Sequence, residues 1–296
     1  MEEIELTANN FSGLEQNKTV KKITLTNCTT LPDLSECKLL ETLTINSCNI
    51  EFINGINIPT LKTLSINNCA NLTIFQENSL PELTSLSINK CANLTIFQKN
   101  TFPELTTLQL IETLSLEVFD NNKLPELTIL NLDNYSNLYS FTGNILPKLT
   151  TLSLNNCGLT QFSEYGLPQT VERAKALELE PENTEGISFS QLKTLSLNNC
   201  SKLTEFIGNK FPQLTSLSLN NCKNLDLTSI SDLTSISNNK LPKLTSFSNI
   251  KGNPIDELTG GSKNLRKKRK ISTTKKNTKK QKISRNRKTL HKKHYG

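Results

Sequence analysis

The sequence predicts a solenoid built on a parallel sheet, followed by a segment that does not belong to it. Two observations carry this. A leucine-centred phrase returns every 22 residues or so over most of the 296-residue chain, and a fixed period of that size marks stacked supersecondary units. The last 35 residues abandon the phrase and hold 16 Lys and Arg with no Asp or Glu.

The phrase is clearest at 80–100. Taking the first leucine of its Leu-x-x-Leu-x-Leu/Ile core as a phase marker gives Val20, Leu40, Leu61, Leu83, Leu105, Leu127, Leu149, Leu192 and Leu214. Successive steps are 20, 21, 22, 22, 22, 22, 43 and 22 residues. The 43-residue step reads as two turns with a degenerate one between them. With a weak first copy around Ile4 and Leu6 and a failing last one at Leu244 and Phe247, about twelve turns are expected.

Each repeated position has a mechanical task. In Leu83-x-x-Leu86-x-Ile88, alternation places Leu86 and Ile88 on one face of a short strand. Stacked turns then set these strands about 4.8 Å apart in a parallel sheet. Cys28, Cys48, Cys69, Cys91, Cys157, Cys200 and Cys222 fill one position. Without a Cys-x-x-Cys pair they are expected to be buried, reduced core residues rather than zinc ligands. Cys37 falls off this register and is expected to be exposed or in a turn. Phe52, Phe75, Phe97, Phe119, Phe141, Phe162 and Phe206 form a spine on the far side of each turn. Prolines 59, 81, 103, 125, 147 and 212 then return the chain toward the next strand, since proline presets φ and needs no ladder partner.

These cores, for example Leu149-Thr-Thr-Leu152-Ser-Leu154-Asn-Asn-Cys157-Gly-Leu159, resemble the leucine-rich repeat family over residues 1–260. The resemblance implies an α/β-type, curved solenoid with the sheet on its concave face and a non-enzymatic role in binding other proteins. The variable segment of about 11 residues is too short for a full helix in each turn, so irregular or 3₁₀ convex segments are expected.

In chain order, residues 1–19 read as an N-terminal cap or degenerate first repeat. Residues 20–261 form the solenoid, with a degenerate turn at 163–190 and an insertion at 226–237. Residues 262–296 form a basic tail, disordered by composition. The formal charge of +7 resolves into −9 for the body and +16 for the tail. Arg266, Lys267, Lys268, Arg269 and Lys270, followed by Lys275, Lys276, Lys279 and Lys280, suit a nuclear targeting signal read by an importin-like receptor. The same residues could neutralise phosphates, so a nucleic-acid-associated protein with the repeats as a spacer is the alternative reading.

Catalytic chemistry finds little to work with. Both histidines, His291 and His294, lie in the tail, so the repeats cannot supply a Ser-His-Asp or Cys-His arrangement. Nor is there a glycine-rich phosphate loop, and no cofactor is expected. No 18-residue apolar run or basic–apolar leader occurs, so an intracellular protein, nuclear or cytoplasmic and monomeric, is expected.

The concave positions are a lawn of Ser, Thr and Asn, such as Thr63, Ser65, Asn67 and Asn68. The pattern fails in mid-array. From Leu105 the positions become Thr107, Gln109, Ile111 and Glu112. From Leu127 they become Ile129, Asn131, Asp133 and Asn134, with Tyr135 in the cysteine place. Ile111, Glu112, Ile129, Asp133 and Tyr135 are therefore the candidate patch for a protein partner.

Overall fold

A computed structural model describes residues 3–16, 18–162, 189–207, 209–225 and 241–250. The chain divides into two units, Met1–Ser262 and Lys263–Gly296. The second unit, with all nine candidate basic residues, lies outside the described residues, as does the insertion at 226–237.

The first unit is a parallel β-solenoid with a period near 22 residues and little helix. Its longer strands form one ladder in two sections. The first is a six-stranded sheet of β1 (Glu3–Thr7), β2 (Lys22–Thr26), β3 (Thr42–Asn46), β5 (Thr63–Asn67), β7 (Ser85–Asn89) and β9 (Thr107–Ile111). The second is a five-stranded sheet of β11 (Ile129–Asn131), β12 (Thr151–Ser153), β14 (Thr194–Ser196), β16 (Ser216–Asn220) and β17 (Ser246–Ile250). Register is strict: Leu43, Leu64 and Leu86 are cross-strand neighbours, as are Ile45, Ile66 and Ile88. These inward residues are fully buried, while the Ser, Thr and Asn between them are half-buried by their own copies in adjacent turns.

The far side of each turn carries a short ladder within an otherwise irregular segment, and no 3₁₀ helix occurs among the described residues. Three-residue strands β4 (Phe52–Asn54), β6 (Ile74–Gln76), β8 (Ile96–Gln98) and β10 (Val118–Asp120) pair in parallel, and β13 (Gln161–Phe162) pairs with β15 (Glu205–Phe206). A third column of single bridges joins Asn57, Ser79, Thr101, Lys123 and Ile145. The only described helix is α1, Ser12–Gln16, so the α/β-type designation does not hold. Strands on the far side need no more than the strand spacing of the first ladder, whereas stacked helices would demand about 8–10 Å per turn.

Two β-turns per repeat join these ladders. The amide of Leu83 donates to the Leu80 carbonyl, Leu105 to Phe102 and Leu127 to Leu124, with proline second in each turn. Leu72 likewise donates to Cys69 and Leu94 to Cys91. The residue before the cysteine place takes a left-handed φ, as at Asn68 (56°), Lys90 (55°) and Asn156 (58°). Asn tolerates that region better than most residues, which explains its frequency there.

Three columns fill the interior. The phenylalanine spine stacks at 5.2 Å for Phe75–Phe97, 5.0 Å for Phe97–Phe119 and 5.6 Å for Phe119–Phe141. Phe52 is not part of it: Phe52 pairs with Ile74, Ile53 occupies the spine position opposite Phe75, and Phe52 is exposed. The cysteines form the second column, buried and free, with thiols donating to a carbonyl of the preceding turn, as Cys157 does to Leu132 at 3.1 Å and Cys222 to Leu197 at 3.0 Å. Burial pushes the Cys48 thiol up to about 11 and the Cys157 thiol up to about 12. Cys37 corrects another expectation, because it is buried. Its carbonyl accepts the amide of Leu40 just as that of Ile58 accepts the amide of Leu61, so it holds the core position that Ile58 holds before Pro59, followed here by Lys38.

The third column went unrecognised in the sequence. Asn78, Asn100, Asn122 and Asn144 are buried one above another. The Asn100 Oδ1 accepts the Asn78 amide at 3.2 Å and its Nδ2 at 3.0 Å, while Asn100 Nδ2 donates to the Phe75 carbonyl at 3.3 Å and Asn122 Oδ1 at 3.0 Å. Asn122 repeats these bonds to Asn144. An amide offers donor and acceptor at once, so a stack of them satisfies itself and the backbone without water.

The 43-residue step is also resolved differently from expectation. β12 and β14 pair directly, Leu152 with Leu195, and Phe162 stacks on Phe206 at 5.7 Å. No additional ladder strand lies between them. The degenerate turn assigned to 163–190 falls mostly outside the described residues, and the ladder passes across it without a gap. The count of twelve turns relied on that segment.

Candidate functional site

The first ladder is interrupted once among the described residues, between β9 and β11. Everywhere else a fixed set of backbone bonds joins consecutive turns. The Thr84 carbonyl accepts the amides of Thr106 and Thr107, and the Thr128 carbonyl accepts those of Thr150 and Thr151. The amide before the cysteine place donates upward, from Lys90 to Ile111 and from Asn134 to Asn155. The corresponding bonds from Thr128 and Ile129 to Thr106, and from Glu112 to Asp133, are not made.

Burial reports the same opening. In the intact turns the outward residues are half-covered and the inward ones fully buried. In β9 the outward Thr107, Gln109 and Ile111 are exposed, and the inward Leu108 and Leu110 are only partly covered. The result is a cleft of about 520 Å³ that all five candidate residues line. Ile111 and Ile129 are 47% and 61% exposed, and Leu114, which the sequence did not single out, is 58% exposed. Glu112 is exposed with φ at 55° and has no ion-pair partner among the described residues. Asp133 is half-buried, its Oδ1 accepting the Ser153 hydroxyl and the Asn155 amide, both at 2.7 Å.

Tyr135 is buried at 3% exposure and spans the base of the cleft. Its hydroxyl donates to the Leu110 carbonyl at 2.8 Å and lies 2.9 Å from the Thr113 hydroxyl. This is the bond that a cysteine thiol makes in other turns, reached here by a side chain longer by an aromatic ring. Desolvation raises the Tyr135 pKa, opposed by the Thr113 bond.

The far side holds the same two turns together. The Glu117 carbonyl accepts Tyr139 and Ser140, Phe119 donates to Ser140, and the Asn122–Asn144 and Phe119–Phe141 contacts persist. The solenoid is therefore open on one face and closed on the other. Substitution explains it. The Asn46–Asn67–Asn89 side-chain ladder runs at 3.0 and 3.2 Å and stops at Ile111, which has no amide to offer, and Asn89 Oδ1 is left buried without a partner. One step further in, Thr113 and Tyr135 replace two cysteines.

Among the described residues no cluster of three His, Cys, Asp or Glu side chains is present, and no helix is long and apolar enough to cross a membrane.

Fold and site thus define a parallel β-solenoid with a partly apolar, partly acidic cleft where its main ladder opens. No protein-family model and no curated protein matches the chain. Among solved structures it is similar to the crystal structure of a TLR13–ssRNA13 complex, with 16% identity and a TM-score of 0.24. That match covers 83% of this chain and 45% of the other.

Proposed function

We propose that this chain is a non-enzymatic protein-interaction module of the leucine-rich repeat type, with the cleft between β9 and β11 as its docking site and the basic tail as a nuclear targeting element. One observation supports the docking site above all. On a ladder face otherwise made of half-covered Ser, Thr and Asn, this cleft presents the exposed Ile111, Leu114 and Ile129 next to Glu112 and Asp133. Apolar anchors with adjacent charge give a partner both affinity and orientation.

The test uses the full-length chain and the double variant Ile111→Ala, Ile129→Ala as bait, with and without nuclease, at low and high salt. The expected result is a defined protein that ignores nuclease, tolerates salt and is lost with the double variant. Unchanged recovery with the double variant would overturn the docking site. The tail's 16 cations favour a second reading, nucleic-acid association. Recovery that disappears with nuclease and falls steeply with salt would establish that instead.

A further inference from the structure

We propose that the cleft is a slot for one extended strand, which completes the interrupted ladder by inserting in parallel between β9 and β11. The inference rests on the docking reading and adds to it the conformation, direction and chemistry of what docks.

The slot's edges are strand edges. On one side are the Thr106 carbonyl and Glu112 amide, and on the other the Thr128 and Ile129 amides and the Asp133 carbonyl. In the flanking pairs of turns, β7–β9 and β11–β12, the equivalent groups are bonded, and here they are not. Adjacent turns sit one strand spacing apart, about 4.8 Å. Removing the bonds while keeping the far side closed leaves a wedge, and Tyr135 in place of cysteine keeps its base from collapsing. Backbone pairing along such edges supplies affinity, and side-chain pockets at alternate positions supply specificity.

Side chains flanking the slot define the occupant. Two of its residues would point inward, between Leu108 and Leu130 and between Leu110 and Leu132. They must be apolar, because they would cover Leu108 and Leu110, which are only partly covered, and would lie against the buried Leu130 and Leu132. Its outward residues would lie first beside Thr107 and Ile129, then beside Gln109 and Asn131, and last beside Ile111 and Asp133. The last is best Lys or Arg, with its stem on Ile111 and its charge at Asp133 and Glu112. The partner is thus an extended segment of the pattern polar-apolar-polar-apolar-Lys/Arg, entering parallel to β9.

The probe is a fluorescein-labelled peptide, Ser-Thr-Val-Thr-Val-Lys-Arg, titrated against the full-length protein. Three comparisons follow: the same peptide N-methylated at alternate amides, its reversed sequence, and the protein carrying Tyr135→Cys. Insertion requires saturable binding that weakens about fivefold or more in each, the loss of roughly one net backbone bond being worth that much. Amide exchange at Glu112, Thr128 and Ile129 should slow on binding. The variant Ile129→Lys, at an exposed position, controls for folding and should also weaken the basic peptide. Equal binding of the N-methylated peptide would overturn insertion while leaving side-chain docking standing. Absence of any binding would overturn the assigned strand chemistry, and the bait experiment with Ile111 and Ile129 would then decide the docking site separately.

Discussion

Replacing Asn100 with alanine tests whether the buried amide column holds the stack together. The substitution removes the Oδ1 that accepts both the main-chain and the side-chain amide of Asn78, and the Nδ2 that serves the Phe75 carbonyl and Asn122. Two donors at Asn78 then face an apolar interior, since Asn78 is 1% exposed. Each orphaned buried group costs about 1–3 kcal/mol, so a loss of about 4 kcal/mol is expected before any cavity contribution. Because Asn100 joins the turns on both sides, the loss falls on two interfaces of the array. Urea unfolding followed by circular dichroism and by tyrosine fluorescence measures it. Asn71→Ala is the control: Asn71 is exposed, bonds only to Asn49, and should stay within about 0.5 kcal/mol of wild type. A loss below about 1 kcal/mol for Asn100→Ala, or an equal loss for Asn71→Ala, would refute the reasoning.

Other outcomes follow from the same columns. Ile53→Ala should cost about 2–5 kcal/mol as a buried truncation, whereas Phe52→Ser, at a 46% exposed position, should be nearly neutral; denaturation midpoints of the two decide which residue holds the spine position. The Cys157 thiol, pushed up to about 12 from an ordinary value near 9, stays protonated in the folded chain while the unfolded chain ionises. Its contribution is therefore complete below pH 9 and is lost as pH rises toward 12, by about 1 kcal/mol at pH 10. Stability measured at pH 8 and pH 10 should fall less in Cys157→Ala than in wild type by that amount, and an equal fall would dismiss the assignment. The exposed cross-turn pair Lys148–Glu126 should contribute no more than about 1 kcal/mol, as a double-mutant cycle would show.

The parallel ladder could be read from the sequence because its cause is local. A two-residue alternation placed on a fixed period leaves one register in which every leucine is buried. What could not be read depended on contacts between columns. Asn78, Asn100, Asn122 and Asn144 also repeat at 22 residues, but in a chain rich in Asn they look like loop residues until their burial is known. Phe52 seemed to belong to the spine because phenylalanine is common there, and only its pairing with Ile74 shows it displaced by one residue. Cys37 is off the register of the cysteine column because its place is the one that Ile58 holds in the next turn. The 43-residue step was divided by arithmetic, and the direct pairing of β12 with β14 shows that length alone does not make a turn.

The candidate patch was legible as a failure of pattern, but its consequence was not. A change of side chain on a solvated face need not alter the backbone. Here it does, because two inward positions change with it: Thr113 and Tyr135 take cysteine places, and the tyrosine ring is too long for the spacing that a thiol bridges. This can be reversed. Restoring the repeat with Gln109→Ser, Ile111→Asn, Thr113→Cys and Tyr135→Cys should let β9 pair with β11. Three backbone bonds missing from the first ladder would form, and Asn89 Oδ1 would gain a donor from the new amide at 111. At about 1 kcal/mol net each, the gain is about 3–4 kcal/mol. Amide exchange at Glu112 and Ile129 should slow together with a rise in the midpoint. If the four changes left both unchanged, the opening would owe nothing to these side chains, and its cause would have to be sought in the packing of the far side.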